Sequence, residues 1–233
     1  MKVVVLSSQK GGAGKSTLAI NLAAQCASIG GNKSVILDLD PQASCRVWAA
    51  QRAQTLRAHA ISGASQSSPS HIRGLKVVAG DRDHLRSMLQ THKADGATHV
   101  FIDLPPQNKK WFRQVFQLAD LILLPVRPGF FDMVSGFDTW QLVEDRPLRW
   151  VVNAAFDDVS QPDSVARVVQ GELNRTMKCL DTLISNAAEW VMSVGAGLSV
   201  PEYAPGSLAA QQLRSLWTEV DSFPEIVVKH RYG

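Results

Sequence analysis

The sequence predicts an α/β fold in which a single doubly wound, mostly parallel sheet carries helices on both faces. Short apolar segments alternate along the chain with segments of helical periodicity. Some apolar segments, such as Leu121–Leu124, contain no polar position, which is typical of a strand covered on both faces. Strand–helix alternation of this kind favours a parallel sheet. We expect residues 1–233 to form one domain.

The predicted elements can be placed in chain order. Apolar, β-branched runs predict strands at residues 2–7, 34–39, 75–79, 98–103, 121–126, 148–154 and 180–185. Helical periodicity predicts helices at residues 15–29, 43–57, 82–94, 109–119, 133–144, 163–177, 186–195 and 206–220. Residues 62–73 are rich in Ser, Gly and Pro, and we expect them to form a flexible surface loop.

The composition excludes several classes of protein. Hydrophobic residues make up 45% and charged residues 19% of the chain, which is typical of a globular protein and not of a disordered, collagen-like or coiled-coil one. No apolar run reaches the roughly 18 residues of a membrane span. Cys26, Cys45 and Cys179 are too few and too scattered for a disulfide framework or a zinc site. We therefore expect a cytoplasmic protein.

The charge is unevenly distributed along the chain. Residues 41–100 contain eight Lys and Arg against three Asp and Glu, whereas residues 101–233 contain twelve basic and sixteen acidic residues. A basic stretch of this kind indicates either contact with an anionic partner or an ordinary solvated face, and charge alone does not separate the two.

The strongest motif is a glycine-rich loop between the first predicted strand and the first predicted helix. Glycines allow backbone N–H groups to surround phosphate oxygens, and the helix N-terminus adds further donors. In this pattern the lysine before the helix binds β- and γ-phosphates, and the next hydroxyl binds Mg²⁺. The predicted phosphate-binding residues are Gly11, Gly12, Ala13, Gly14, Lys15, Ser16 and Thr17. A second lysine, Lys10, precedes the glycines.

Acidic residues follow two other predicted strands. Asp38 and Asp40 come at the end of the second strand, and Asp103 ends the fourth. Because ligands of open parallel sheets bind beyond the carboxyl ends of the strands, we expect these carboxylates to lie beside the glycine-rich loop. One of the pair Asp38 and Asp40 is positioned to orient a water, and the other to support the metal shell.

These motifs together resemble the ParA/MinD superfamily of ATPases with a deviant Walker A motif. Lys10–Thr17 is similar to the Walker A motif, Asp38–Gln42 to the second motif, and Phe101–Pro106 to Walker B. The segments Ala119–Val126 and Glu202–Ser207 resemble later stretches, so the resemblance extends over nearly the whole chain. The sequence of Asp38–Gln42 and the Pro105–Pro106 pair are most similar to short ParA-type partition ATPases.

The resemblance implies a phosphate-loop NTPase fold, ATP and Mg²⁺ as cofactors, and specific roles for matching residues. Lys10 corresponds to a lysine that crosses an ATP-sandwich homodimer, Lys15 to the phosphate anchor, and Asp40 to the residue that positions the attacking water. The implied metal residues are Ser16, Asp38 and Asp103. Asn153, Glu202 and Pro205 correspond to nucleotide contacts on the adenine side. An Asn-Lys-x-Asp guanine reader is absent after Asn153, which favours ATP over GTP.

The resemblance also implies non-specific DNA binding, nucleoid association and a ParB-like or other cargo adaptor that stimulates slow hydrolysis. The output would be segregation of a plasmid, chromosome or other cargo. Candidate DNA contacts are Arg167, Arg175, Lys178 and Arg214, with the basic stretch 46–86 as an alternative.

Two rival functions fit the same loop. A MinD-like ATPase on a membrane surface would need a basic amphipathic C-terminal helix, and Pro224 interrupts the tail at residues 221–231. A biosynthetic ligase or an iron–sulfur reductase is the other rival, and the three cysteines do not match the pattern of the reductase. We therefore expect no membrane partner.

Overall fold

The computed structural model of the 233-residue chain describes residues 1–62, 72–107, 110–143 and 146–226. Its centre is a six-stranded parallel sheet with the order β3-β2-β4-β1-β5-β6. The strands are β1 (Lys2–Leu6), β2 (Ser34–Asp38), β3 (Leu75–Ala79), β4 (His99–Asp103), β5 (Leu121–Val126) and β6 (Leu148–Val152). Because β1 lies between β4 and β5, the direction of winding reverses at β1. Ligands of such sheets bind at this reversal point.

The helices lie between and after the strands. They are α1 (Lys15–Ser28), α2 (Ser44–Ser62), α3 (Leu85–Ala94), α4 (Phe112–Phe116), α5 (Phe130–Trp140), α6 (Val165–Thr176), α7 (Ala188–Gly195), α8 (Val200–Tyr203) and α9 (Leu208–Ser222). None of the helices within the described ranges is long and apolar enough to cross a bilayer.

Alternate side chains of the strands enter two separate hydrophobic cores. Val3, Val5 and Ile102 pack on one face with residues of α3, α4 and α6. Val4 and Leu6 pack on the other face with residues of α1, α2 and α9. Since successive side chains of a strand point to opposite faces, the fully apolar strands serve both cores. The predicted doubly wound sheet is thereby confirmed.

The seventh predicted strand, at residues 180–185, is wrong. This segment forms only isolated bridges beside β6, at Trp150–Cys179 and Ala155–Ser185. Side chains bind several of its backbone groups: Gln170 donates to the carbonyls of Leu180 and Asp181, and Glu219 accepts from the N–H groups of Asp181 and Thr182. Leu180 and Ile184 still donate backbone hydrogen bonds to Trp150 and Val152, and polar side chains interrupt the ladder between them.

Helix boundaries differ from the predictions by a few residues in most cases. The predicted helix at 109–119 is short, because α4 includes only Phe112–Phe116. The predicted helix at 206–220 is α9. Most of the predicted loop at 62–73 and the last part of the tail lie outside the described residues.

Candidate active site

The glycine-rich loop joins β1 to α1 at the carboxyl edge of the sheet. Gly12 and Gly14 have φ values of 75° and 93°, a left-handed conformation that favours glycine. A Cβ atom on Gly14 would lie 2.2 Å from Nδ2 of Asn153. Gly14 is also the N-cap of α1, whose first turn has no acidic residue. The loop therefore requires glycine here and directs a helix N-terminus toward the site.

Side chains from neighbouring strands hold the loop in this conformation. Nδ2 of Asn153, just after β6, donates to the carbonyl of Ala13 at 2.7 Å. Nη2 of Arg127, just after β5, donates to the carbonyl of Gly12 at 2.7 Å. Sequence reasoning placed Asn153 at the adenine and missed Arg127, whose partner Gly12 is 115 residues away along the chain. The adenine contact of Asn153 stays a prediction.

Lys15 is a buried cation at the start of α1. It is 6% exposed, and its Nζ donates to Oγ of Ser8 at 3.3 Å. Burial lowers the pKa of Lys15, while the nearby carboxylates of Asp103 and Asp40 oppose that shift. Within the described residues no carboxylate is close enough to form an ion pair with it. A phosphate bound by the loop would supply the missing counter-charge.

Asp103, at the end of β4, faces the first turn of α1. Its Oδ2 accepts hydrogen bonds from Oγ of Ser16 at 2.6 Å and from Sγ of Cys45 at 3.4 Å. Its Oδ1 is buried and accepts no hydrogen bond from any described residue. Burial raises the pKa of Asp103 to about 6. A buried carboxylate oxygen without a donor next to a hydroxyl is a suitable arrangement for Mg²⁺.

Protein side chains alone would not complete a metal site here. No group of three or more His, Cys, Asp or Glu residues in the described part of the chain is arranged to hold a metal ion. Mg²⁺ commonly binds with one or two carboxylates, several waters and the phosphates of its substrate. The residues present therefore fit a magnesium ion that arrives with a nucleotide.

Asp38 and Asp40 lie beside Asp103 but differ in their surroundings. Oδ1 of Asp38 accepts the N–H of Asp40 at 3.1 Å, and its Oδ2 accepts the N–H of Arg46 at 3.2 Å. Burial raises the pKa of Asp38. Oδ1 of Asp40 accepts the N–H of Gln42 at 2.9 Å, and its Oδ2 accepts no hydrogen bond from a described residue. Asp38 thus holds the turn, whereas Asp40 has an oxygen available for water. The metal role of Asp38 stays a prediction.

Lys10 lies at the rim of the loop. Its Nζ is 3.4 Å from Oδ2 of Asp132, in the first turn of α5, and 6.0 Å from the centre of the Phe131 ring. The side chain of Lys10 is 41% exposed. Lys10 is thus held within its own subunit, and its role across a dimer interface stays a prediction.

Glu202 and Pro205 belong to the segment around α8. The carboxylate of Glu202 accepts two hydrogen bonds from Arg52 of α2, at 2.7 and 2.8 Å, and its side chain is 2% exposed. It also caps α8 through Ser199. Pro205 is exposed. These contacts were missed from the sequence, because Arg52 and Glu202 are far apart along the chain. Nucleotide contacts of Glu202 and Pro205 stay predictions.

The predicted DNA contacts lie on α6, just after it, and on α9. Arg175 forms an ion pair with Glu172 on α6, and Nε of Arg167 donates to the carbonyl of Val159. Lys178 follows α6 and is exposed, and Arg214 of α9 donates to the carbonyl of Pro205 at 3.5 Å. Val165, at the start of α6, is 56% exposed. The buried positions of α6 are Ala166, Val169, Gln170 and Leu173.

Comparisons with known proteins indicate the family to which this chain belongs. The chain matches the family described as ATPase MipZ over residues 2–146. It is 32% identical to Protein ParA of Rhizobium radiobacter, over 62% of this chain and 57% of the relative. It is 24% identical to the chromosome-partitioning ATPase Soj of Thermus thermophilus, over 93% and 94% of the two chains. The first relatives it matches, the ParA proteins of Rhizobium radiobacter and Caulobacter vibrioides, are thus aligned over little more than half of their length.

Solved structures show the same fold. The MinC:MinD cell division protein complex of Aquifex aeolicus superposes with a TM-score of 0.72 at 18% identity, covering 100% of both chains. A putative plasmid partition protein of Borrelia burgdorferi, bound to AMPPNP, has a TM-score of 0.64 at 16% identity, covering 94% of this chain and 98% of that one.

Proposed function

This chain belongs to the MipZ family of ATPases within the ParA/MinD superfamily, and we propose that it is a ParA-type ATPase that positions a plasmid, chromosome or other cargo. Hydrolysis would be slow alone and faster with a ParB-like or other adaptor protein. The observation that supports this most directly is the buried cation of Lys15 beside the unpaired Oδ1 of Asp103. A magnesium–triphosphate would compensate both groups at once.

The roles of the site residues in this proposal follow from their contacts. The loop amides and Lys15 bind the phosphates, and Ser16 with Asp103 would hold Mg²⁺, which neutralises phosphate charge when it is bound. The free Oδ2 of Asp40 orients the attacking water. Asn153 and Arg127 keep the loop in its binding conformation.

Lys10 couples the nucleotide to assembly in this proposal. Lys15 already provides a cation to the phosphates from within the subunit, and the Nζ of Lys10 points toward Asp132 at the rim of the loop. In an ATP-bound homodimer Lys10 would exchange Asp132 for the partner's phosphates. A cation supplied across an interface accelerates phosphoryl transfer by roughly 10³–10⁵ in related systems. The ATP dimer would then bind DNA without sequence preference and associate with the nucleoid.

The test compares two lysine variants by sedimentation, with and without ATP, in an Asp40→Ala background that blocks hydrolysis. The parent should be a monomer without nucleotide and a dimer with ATP. Lys10→Ala should bind ATP but remain a monomer, and it should lose DNA retention. Lys15→Ala should lose ATP binding itself. If the Lys10→Ala protein dimerises on ATP as well as its parent, the role of Lys10 across the interface is wrong.

A second experiment tests whether the ATPase acts on DNA or at a membrane surface. The ATPase rate is measured alone, with non-specific duplex DNA and with anionic vesicles. Stimulation by DNA, or retention on it, supports the partition function. Binding to vesicles with no response to DNA would instead support a MinD-like function at a membrane surface.

A further inference from the structure

A second pocket lies at the opposite edge of the sheet, where β2 and β3 begin. It has a volume of about 310 Å³, at the lower end of the range for small-molecule sites. Its floor includes Val35 and Ala97, which are buried, and its rim includes Lys33, Arg73 and Lys76. The strands between this pocket and the glycine-rich loop have five residues each, so the two sites are separated by roughly 15 Å or more.

The rim of this pocket is positively charged. Lys33, Arg73 and Lys76 are exposed, and none of them forms an ion pair with a carboxylate of the described residues. Asp95 is the one acidic residue among those that line the pocket in the described ranges. Lys33 has a structural contact, because its Nζ donates to the carbonyl of Asp95 at 3.3 Å. Arg73 and Lys76 make no side-chain hydrogen bond with any residue that the structure describes, so both remain available for a ligand.

A buried histidine completes the lining. His92, in the last turn of α3, is 6% exposed, and its ring nitrogens form no hydrogen bond with a described residue. Burial lowers the pKa of His92, and the positive charge of Lys76 lowers it further, while Asp95 opposes the shift. A ligand oxygen in the pocket would give the imidazole ring a hydrogen-bond partner.

We propose that this pocket binds a small phosphorylated ligand of about the size of a nucleoside monophosphate. The phosphate would contact Arg73 and Lys76 and accept a hydrogen bond from His92, and the apolar part would lie on Val35 and Ala97. This site accounts for part of the basic stretch 41–100, which the ATP site does not use. It is independent of whether the chain hydrolyses ATP.

The experiment follows the imidazole signal of His92 by NMR in the full chain, with stoichiometric Mg–ADP present to fill the glycine-rich loop without an excess that could enter the second pocket. The signal is assigned with His92→Gln, and the probes are AMP, inorganic phosphate and a short duplex DNA. AMP should shift the signal saturably, and inorganic phosphate should do so more weakly. Arg73→Ala combined with Lys76→Ala should raise the Kd for AMP at least about tenfold, because charge-assisted hydrogen bonds are lost.

The matched control is Arg57→Ala, which removes an exposed positive charge of α2 outside the pocket. It should leave the Kd for AMP unchanged within about twofold. If Arg57→Ala weakened AMP binding as much as the double variant does, the effect would come from the overall positive charge of the protein. That result would overturn the proposal. A His92 signal that responds to none of the probes, or to DNA alone, would also overturn it. Circular dichroism of each variant verifies that the fold is intact, and calorimetry with AMP provides a second measure of the Kd.

Discussion

Asp38 and Asp40 are two residues apart, yet the structure gives them different tasks. Both oxygens of Asp38 accept backbone N–H groups, and its Oδ2 also lies 3.6 Å from Nε of Arg46. Of the two carboxylate oxygens of Asp40, only Oδ1 accepts a hydrogen bond from a described residue. A carboxylate that holds a turn is expected to affect folding, whereas one with an available oxygen is expected to affect chemistry.

The first prediction concerns Asp40→Asn. Asparagine keeps an oxygen that accepts the N–H of Gln42, so the turn and ATP binding should be preserved. Its amide is not a base and carries no charge, so hydrolysis should fall by about 10²-fold or more. Phosphate release and binding of a fluorescent ATP analogue measure the two effects separately. Unchanged turnover in Asp40→Asn would refute the assigned role.

The residues of the site differ in how far they could be predicted. The loop glycines, Lys15 and Asp103 each occupy a fixed place relative to a strand or helix, and local sequence determines that place. Arg127 and Arg52 are different, because each binds a group that is more than 100 residues away in sequence. The sequence contains no local pattern for such a pair, so these contacts required the structure.

At the scale of elements, α5 packs closely on β6 through a glycine. A Cβ atom on Gly136 would lie 2.3 Å from Cζ3 and 2.4 Å from Cη2 of the Trp150 ring, which is fully buried. Phe137, the next residue, packs on the same ring with centroids 5.6 Å apart. Because α5 begins beside Lys10, its distance from the sheet also affects the position of Asp132.

The second prediction compares two glycines in helices. Gly136→Ala should destabilise the protein by about 1–3 kcal/mol, because the rigid indole cannot move without disturbing the core. Gly171→Ala in α6 meets no atom within 4 Å and should stabilise by about 0.5–1 kcal/mol. Urea unfolding of the two variants measures both effects. A destabilisation of similar size in both would show that packing on Trp150 is not the cause.

The third prediction concerns the basic surface of α6. Arg167, Arg175 and Lys178 lie on or just after this helix, and Arg175 is partly neutralised by Glu172. Replacing the three with Ala should reduce the salt dependence of DNA binding, because fewer counterions are released from the phosphates. Nucleotide binding should not change. The readout is the slope of log K against log salt concentration, with Arg214→Ala compared in parallel. An unchanged slope in the triple variant would place the DNA contacts elsewhere.

The segment at 180–185 shows why one element was predicted wrongly. Its apolar residues Leu180, Leu183 and Ile184 are all buried, so its hydrophobic pattern is that of a strand. Its pairing with β6 is interrupted, because Gln170 and Glu219 bind backbone groups that a ladder would use. Hydrophobic periodicity indicates which residues are buried. It does not indicate whether their backbone groups form hydrogen bonds with a strand or with side chains.

For the whole molecule, two cores on opposite faces of one sheet explain why the fold could be predicted. Every central strand contributes to both cores, so its middle positions are apolar on both faces. The order of the strands was not predictable in the same way. It depends on pairing between segments that are far apart along the chain, such as β1 with β4.

A buried histidine lies at the edge of the sheet away from the candidate active site. His99, at the start of β4, has its Nε2 3.1 Å from Oδ1 of Asp221 and its Nδ1 3.0 Å from Oγ1 of Thr98. Its ring lies 5.2 Å from that of Trp217 in α9. Burial lowers the pKa of His99, although Asp221 opposes the shift. His99 therefore joins the sheet to α9 mainly in its neutral form.

The last prediction is the pH dependence that follows from this burial. The folded state has the lower pKa at His99, so the unfolded chain binds more protons once the pH falls below about 6.5. Above that pH, the contribution of His99 to the free energy of unfolding should be nearly constant. Below it, this contribution should decrease by at most about 1.4 kcal/mol for each pH unit. The free energy of unfolding in urea is compared at about pH 7.5 and about pH 5.5. His99→Gln, which keeps hydrogen-bonding groups but does not titrate, should lose less stability between these two values than the natural sequence.

The control is His84→Gln, since His84 is exposed and Asp81 raises its pKa, so this change should not lessen the loss at low pH. If His99→Gln and the natural sequence lose the same stability, the neutral, buried state of His99 does not govern this part of the pH profile.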